Sequence, residues 1–145
     1  MAPLQKRALY TLIIGFIFAI TLIVVLLLEG DVTAFNRDET FRWIVYAALI
    51  GAPLTYLILI DLTLRKPSQL DERDRLILER SGRVQWVAVI FSLAAWMITL
   101  TEVFQEQRQV PVVYLTLIFI STIIISVLAQ SSGILLGYWR MNRNG

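Results

Sequence analysis

"VVYLTLIFISTIIISVLAQSSGILLGYW", residues 112–139, is the longest apolar run in the chain and contains no charged side chain. At about 1.5 Å per residue, a helix of this length extends for roughly 42 Å, whereas the hydrocarbon core of a bilayer is about 30 Å thick. Because backbone polar groups must be satisfied internally in lipid, we interpret the run as a transmembrane helix despite its many β-branched residues. Its length predicts that it tilts or projects into the cytoplasm.

Three further runs are long enough to cross a bilayer, and they cover residues 8–28, 41–62 and 84–104. The whole chain of 145 residues is 57% hydrophobic, with a mean hydropathy of +0.70. A soluble domain of this size could not bury so much apolar surface. We therefore predict one membrane domain over residues 1–145: an all-α, four-helix transmembrane bundle surrounded by the lipid bilayer.

The distribution of Lys and Arg predicts the orientation of the bundle. The N-terminus, the segment between spans two and three, and the C-terminus are basic, while the opposite side holds only three arginines: Arg37, Arg42 and Arg108. By the positive-inside rule, both termini and the middle segment are expected in the cytoplasm. The predicted location is the cell (inner) membrane, with a single orientation.

The middle segment contains "QLDERDRLILERSG", residues 69–82, which is rich in charges of alternating sign. Ser68 can cap a helix, Asp71 falls three residues later as in a capping box, and acidic residues follow in the first turns. Glu79 and Arg83 are spaced for an ion pair, as are Asp71 and Arg75. We predict an amphipathic cytosolic helix over residues 68–82. Gly82 leaves open whether it bends before span three or continues into it.

Within this segment, Asp71, Glu72, Arg73 and Ile77 form the pattern D-E-R-x-x-x-I. The pattern resembles a motif in a group of small prokaryotic membrane proteins of unknown function, which carry it between hydrophobic helices. The resemblance covers these residues and the four-span layout, and it implies no substrate or reaction. The residues themselves allow a helix start with one apolar anchor, or an interaction surface in which Arg73 pairs with a carboxylate of another helix or subunit.

Span four carries two patterns at helical spacing. Small residues recur at Ala129, Gly133 and Gly137, and a polar ridge is formed by Thr122, Ser126 and Gln130. Small residues let helices approach closely, and hydroxyl and amide groups form hydrogen bonds across the contact. Packing within the chain, self-association, and the lining of a pore or ligand site are the three interpretations that remain open.

Composition excludes several kinds of chemistry. The chain has no cysteine and no histidine, which excludes disulfides, thiolate zinc sites, iron–sulfur clusters and histidine-ligated haem. We predict no catalytic residue, cofactor or metal site. Asp61, near the cytoplasmic end of span two, is either an interfacial acid paired with Arg65 or a proton or cation ligand.

These patterns predict a non-enzymatic integral membrane protein that acts through helix–helix association, as a homo-oligomer or as an accessory subunit of a larger membrane complex. The alternative is a small transporter or channel for an ion or small solute, in which Asp61 is a possible ion or proton site. A role with nucleic acid is not expected, because the net charge is only +2.

Overall fold

Four long α-helices form the protein. The computed structural model describes residues 2–29, 38–64, 71–106 and 109–144. The helices are α1 (Pro3–Glu29), α2 (Glu39–Leu64), α3 (Glu72–Phe104) and α4 (Val113–Asn144). The predicted all-α architecture with four helices is therefore confirmed.

Within the described residues, three segments are long and apolar enough to cross a membrane: Pro3–Leu27, Glu72–Phe104 and Val113–Arg143. They overlap the predicted spans one, three and four, with spans one and four each extending one residue beyond the segment. The predicted second span lies within α2, which is 26 residues long, and a helix needs about 20 residues to span a bilayer.

Large apolar side chains cover the outside of the molecule. Leu27, Phe91 and Trp86 are 75%, 72% and 70% exposed, and many neighbouring side chains on α1 and α3 are similarly exposed. Soluble proteins rarely expose apolar patches of this extent, because they would associate in water. Together with the three candidate spans, this surface supports the prediction of a membrane protein.

The central helix is α4, which packs against α1, α2 and α3, while α1 also packs against α2. α3 runs antiparallel to α4. At one end of this pair Asp74 meets Tyr138, and at the other end the rings of Phe104 and Tyr114 meet edge to face, with centroids 5.1 Å apart.

Two buried apolar clusters hold the helices together. The first joins α2 to α4 and is extended by side chains of α1; its buried members are Phe41, Val45, Val113, Ile120 and Ile124. The second joins the N-terminal part of α1, the start of α3 and the end of α4; its buried members are Leu4, Ala8, Ile77 and Ile134. The second cluster therefore brings the basic ends of three helices together.

α3 is one continuous helix of 33 residues. It passes through Gly82 without a break, so the predicted cytosolic helix and span three are parts of the same element. The helix begins at Glu72 with Asp71 as its N-cap, in an extended conformation at φ −69° and ψ 162°. Ser68, the expected cap, lies outside the described residues.

Candidate functional site

Two glycines of the small-residue pattern on α4 pack against Ile77 and Ser81 of α3. A Cβ atom added to Gly137 would lie 2.9 Å from Cγ2 of Ile77, and one added to Gly133 would lie 3.1 Å from the Cα atom of Ser81. The two glycines therefore permit a close approach of α3 to α4. For Gly133 and Gly137, packing within the chain is the interpretation that the structure supports.

The four residues of the D-E-R-x-x-x-I pattern have different surroundings. The Asp71 carboxylate accepts a hydrogen bond of 2.7 Å from the backbone N–H of Glu72, and the Glu72 side chain is exposed. Ile77 is only 2% exposed and belongs to the cluster that joins α1, α3 and α4. Arg73 is exposed and lines a groove between α3 and α4. The pattern thus combines a helix cap, a core residue and a surface cation.

One ion pair predicted on this helix is present. Arg83 donates to the Glu79 carboxylate across 3.2 Å, with both side chains largely exposed. Exposed pairs of this kind contribute little to stability. The Asp71 carboxylate caps the helix instead of pairing with Arg75, because its position just before the first turn places it beside a free backbone N–H.

Asp74 is a buried carboxylate that the sequence analysis treated only as a favourable charge near a helix start. It is 6% exposed and accepts a hydrogen bond from the hydroxyl of Tyr138 on α4. A signal for its burial exists in the sequence, because Asp74, Ile77 and Ser81 follow one another at spacings of three and four residues. These spacings place all three side chains on one helix face, and all three are buried.

The residues of the polar ridge of α4 have different surroundings. Ser126 accepts a hydrogen bond of 2.6 Å from the side-chain amide of Gln85 on α3. Ala129 and Gln130 are half-buried. The hydroxyl oxygen of Thr122 is buried and has no hydrogen-bond partner. A buried hydroxyl without a partner costs roughly 1–3 kcal/mol, so Thr122 is the unsatisfied member of the ridge.

Thr122 and Ser126 line an open cavity of about 380 Å³ whose walls are formed by three helices. α2 contributes Pro53 and Leu57; α3 contributes Gln85, Trp86 and Val89; α4 contributes Thr122, Ile123, Ser126 and Val127. The cavity opens sideways, since the rim residues Trp86 and Leu57 are 70% and 59% exposed. We call this opening the lateral groove. Its wall is apolar except for the cluster of Gln85, Ser126 and Thr122.

Two further hydrogen bonds attach α4 to its neighbours. The indole N–H of Trp96 on α3 donates to the Ser121 hydroxyl on α4 across 2.9 Å. The hydroxyls of Thr11 on α1 and Ser131 on α4 lie 2.8 Å apart in a buried contact. The hydroxyls of Ser121, Ser126 and Ser131 therefore join α4 to neighbouring helices, whereas the buried hydroxyl of Thr122 has no partner.

Sequence reasoning missed Gln85, because one polar residue near the start of an apolar run looks like an interfacial side chain. Its position opposite the polar ridge becomes visible only when α3 and α4 are aligned antiparallel. The side chain of Asp61 lies outside the described residues, so its predicted roles stay predictions. Where the structure is described, no three acidic side chains come together as a metal ion would require.

The chain matches no protein-family model, no curated protein and no solved structure. The resemblance to small prokaryotic membrane proteins through D-E-R-x-x-x-I therefore stays a prediction. The function has to be argued from the geometry of the lateral groove and of the α3–α4 contact.

Proposed function

We propose that this protein is a non-enzymatic integral membrane protein that acts through helix–helix association, as a homo-oligomer or as an accessory subunit of a larger membrane complex. The observation that carries the proposal is the unpartnered hydroxyl of Thr122 in the wall of the lateral groove. A transmembrane helix that lies in this groove can offer that hydroxyl a hydrogen bond once the Thr122 side chain rotates towards the groove, since the oxygen is buried in the isolated chain.

A partner helix is favoured over lipid in the groove because lipid cannot form hydrogen bonds there. Lipid tails match the apolar wall of the groove as well as a protein side chain does, but they have no group that bonds to Thr122. Hydrogen bonds between hydroxyl or amide groups of neighbouring helices contribute about 0.6–2 kcal/mol in membranes. A partner helix with one polar side chain at this depth therefore gains energy that lipid cannot supply.

The groove is a better candidate surface than the glycine face. Gly133 and Gly137 are used by α3 of the same chain, whereas Trp86 and Leu57 at the rim of the groove are largely exposed. α2 and α3 both pack on α4 and together with it line the lateral groove. These observations support our proposal that association uses the side of α4 that carries Thr122 and Ser126.

Single cysteines can test this assignment cleanly, because the chain has none of its own. Trp86→Cys places a thiol at the rim of the groove, and Ile20→Cys places one on α1 at a site that is 58% exposed. Oxidation in native membranes should produce a disulfide-linked dimer with Trp86→Cys if the partner is a second copy. If the partner is another subunit, a thiol-to-amine crosslinker should join Trp86→Cys to that protein.

In either case, Thr122→Val should reduce the crosslinked product, and Ile20→Cys should give little of it. The proposal is contradicted if Trp86→Cys and Ile20→Cys crosslink equally, or if neither gives a product. Loss of the product in Thr122→Val separates a specific contact from random collisions in the membrane.

The proposed orientation has both termini in the cytoplasm and the protein in the inner membrane. Its support is the cluster of Leu4, Ala8, Ile77 and Ile134, which gathers the basic ends of α1, α3 and α4 at one end of the molecule. Positive charge concentrated at one end favours retention of that end in the cytoplasm. Fusions of green fluorescent protein to either terminus should fluoresce, and alkaline phosphatase fusions should be inactive.

A small transporter or channel is the second candidate. The observation that favours it is the volume of the lateral groove, about 380 Å³, which lies within the range of sites for small ligands. Pro53, which lacks a backbone N–H, lies in its wall. Liposomes containing the purified protein should then pass an ion or small solute, and Asp61→Asn should stop the flux. Absence of flux for common ions would favour the association role.

A further inference from the structure

A second groove lies between α3 and α4 at the basic end of the molecule, with a volume of about 590 Å³. Three arginines surround it: Arg73 and Arg80 on α3, and Arg140 on α4. We propose that this groove binds the headgroup of an anionic phospholipid, with an acyl chain along its apolar side. The site is separate from the lateral groove, so it does not depend on helix–helix association.

The sequence places these cations on one site. Arg73 and Arg80 are seven residues apart, so they lie on the same face of α3, with Ile77 between them. Arg140 follows Gly137 by three residues on the facing helix. Because Gly137 has no side chain, Ile77 sits directly against α4, and the arginines stand on opposite sides of a shallow depression.

The three positive charges are not neutralised within the described part of the chain. Glu79 pairs with Arg83, Asp74 is buried against Tyr138, and Asp71 caps α3. Arg143 lies over the ring of Trp139, with its guanidinium carbon 5.4 Å from the ring centroid. Asp71, Asp74 and Glu79 are thus engaged elsewhere and Glu72 is exposed, while Arg73, Arg80 and Arg140 are exposed towards the groove.

The chemistry of these side chains selects a phosphate. The guanidinium group presents several N–H donors in a planar fork that matches two phosphate oxygens at once. Three such groups around one groove suit a ligand with one or two negative charges. Basic pockets between transmembrane helices on the cytoplasmic side are known to hold anionic headgroups.

The remainder of the groove favours a lipid over a free anion. Val84 and Leu136 line it on the side that continues towards the apolar parts of α3 and α4, and they are 47% and 53% exposed. An acyl chain covers this apolar surface, which a soluble phosphate leaves in contact with water. Trp139, next to Arg140 and 55% exposed, is a residue type enriched at the membrane–water interface.

The experiment measures binding of phosphatidylglycerol with a fluorescent acyl chain to the purified protein in neutral detergent. We expect saturable binding, with the dissociation constant raised about fivefold by each of Arg73→Gln, Arg80→Gln and Arg140→Gln. The triple variant should lose roughly a hundredfold in affinity. Arg75→Gln is the matched control, because it removes one exposed positive charge from the same helix at a position that does not line the groove.

Each other result overturns the proposal. Equal losses for Arg75→Gln and Arg73→Gln mean that general charge attracts the lipid, and unchanged binding by the triple variant places the lipid elsewhere. If phosphatidylcholine binds as tightly as phosphatidylglycerol, the groove does not distinguish lipids by the charge of their headgroup. Complete displacement of the lipid by millimolar inorganic phosphate assigns the site to a free anion. The single variants are sufficient if the triple variant fails to accumulate, since each altered side chain is exposed.

Discussion

The hydroxyl of Tyr138 on α4 donates a hydrogen bond to the buried carboxylate of Asp74 on α3. This contact lies one turn before Ile77 along α3 and next to Gly137 on α4, and Gly137 and Ile77 pack directly against each other. A polar bond therefore fixes the register at the point where small residues permit close packing. Several consequences of this arrangement can be measured.

Tyr138→Phe removes the only hydroxyl donated to Asp74 among the described residues and leaves a buried carboxylate without that donor. We expect the free energy of unfolding to fall by roughly 1.5–3 kcal/mol, the range for hydrogen bonds to charged groups. The measurement is unfolding by SDS in mixed micelles. Tyr10→Phe is the control, since Tyr10 is 60% exposed. The double variant Asp74→Leu/Tyr138→Phe should lose less than the sum of its single changes; a fully additive loss would show that the two groups are not coupled.

Gly133→Ala places a methyl carbon only 3.1 Å from the Cα atom of Ser81, which is tighter than an ordinary van der Waals contact. Overpacking costs about 1–3 kcal/mol and the gain in helix propensity is about 1 kcal/mol, so we expect a net loss of roughly 1 kcal/mol. Gly82→Ala meets no atom within 4 Å and should be neutral or stabilising. The free energies of unfolding of the two variants in SDS are compared. Equal stabilities would contradict the packing of Gly133 against Ser81.

Thr122→Val replaces the unpartnered hydroxyl by a methyl group of similar size. We expect the isolated protein to gain up to about 1–3 kcal/mol in stability, because an unsatisfied buried polar group is removed. Thr11→Val should have the opposite effect, since the Thr11 hydroxyl lies 2.8 Å from that of Ser131. Thermal unfolding in detergent measures both changes. A loss of stability in Thr122→Val would mean that its hydroxyl already has a partner.

Asp71→Ala removes the N-cap of α3 and should cost about 0.5–2 kcal/mol. Asp71→Asn keeps an oxygen that accepts from the N–H of Glu72 and should retain most of that stability. Glu72→Gln changes an exposed side chain and should have little effect. Comparison of the three variants by SDS unfolding separates a capping role of the D-E-R-x-x-x-I pattern from a partner-binding role. Equal stability of Asp71→Ala and the unaltered protein would remove the structural explanation for Asp71.

The number and approximate extent of the helices could be predicted from hydropathy, because lipid requires long helical runs. The pairing of the helices could not be predicted. Every face of an apolar helix can contact either lipid or another helix. The sequence therefore does not show which face packs against which neighbour. The glycines of α4 indicated a close contact, but only the structure identifies α3 as the helix that uses it.

The polar residues show the same division. Ser126 and Thr122 could be recognised as a ridge from their spacing, yet Gln85 as the donor to Ser126 depends on the alignment of α3 with α4. Asp74 is one of several charged residues near the start of α3. Because acidic residues are common in the first turn of a helix, its sequence position alone does not indicate that it is buried. Its burial follows from sharing a face with Ile77 and Ser81, and that face became recognisable as a buried one only with its neighbours in place.

The uninterrupted course of α3 through Gly82 has a mechanical consequence. A helix of 33 residues is about 50 Å long. Because no break interrupts it, a displacement of one end is transmitted to the other. It contacts α4 through Asp74 near one end and through Phe104 near the other, so a displacement of α3 at Arg73 also acts on its contact with α4 at the far end of the helix. We therefore expect the two ends of α3 to move together when a partner binds at its charged end.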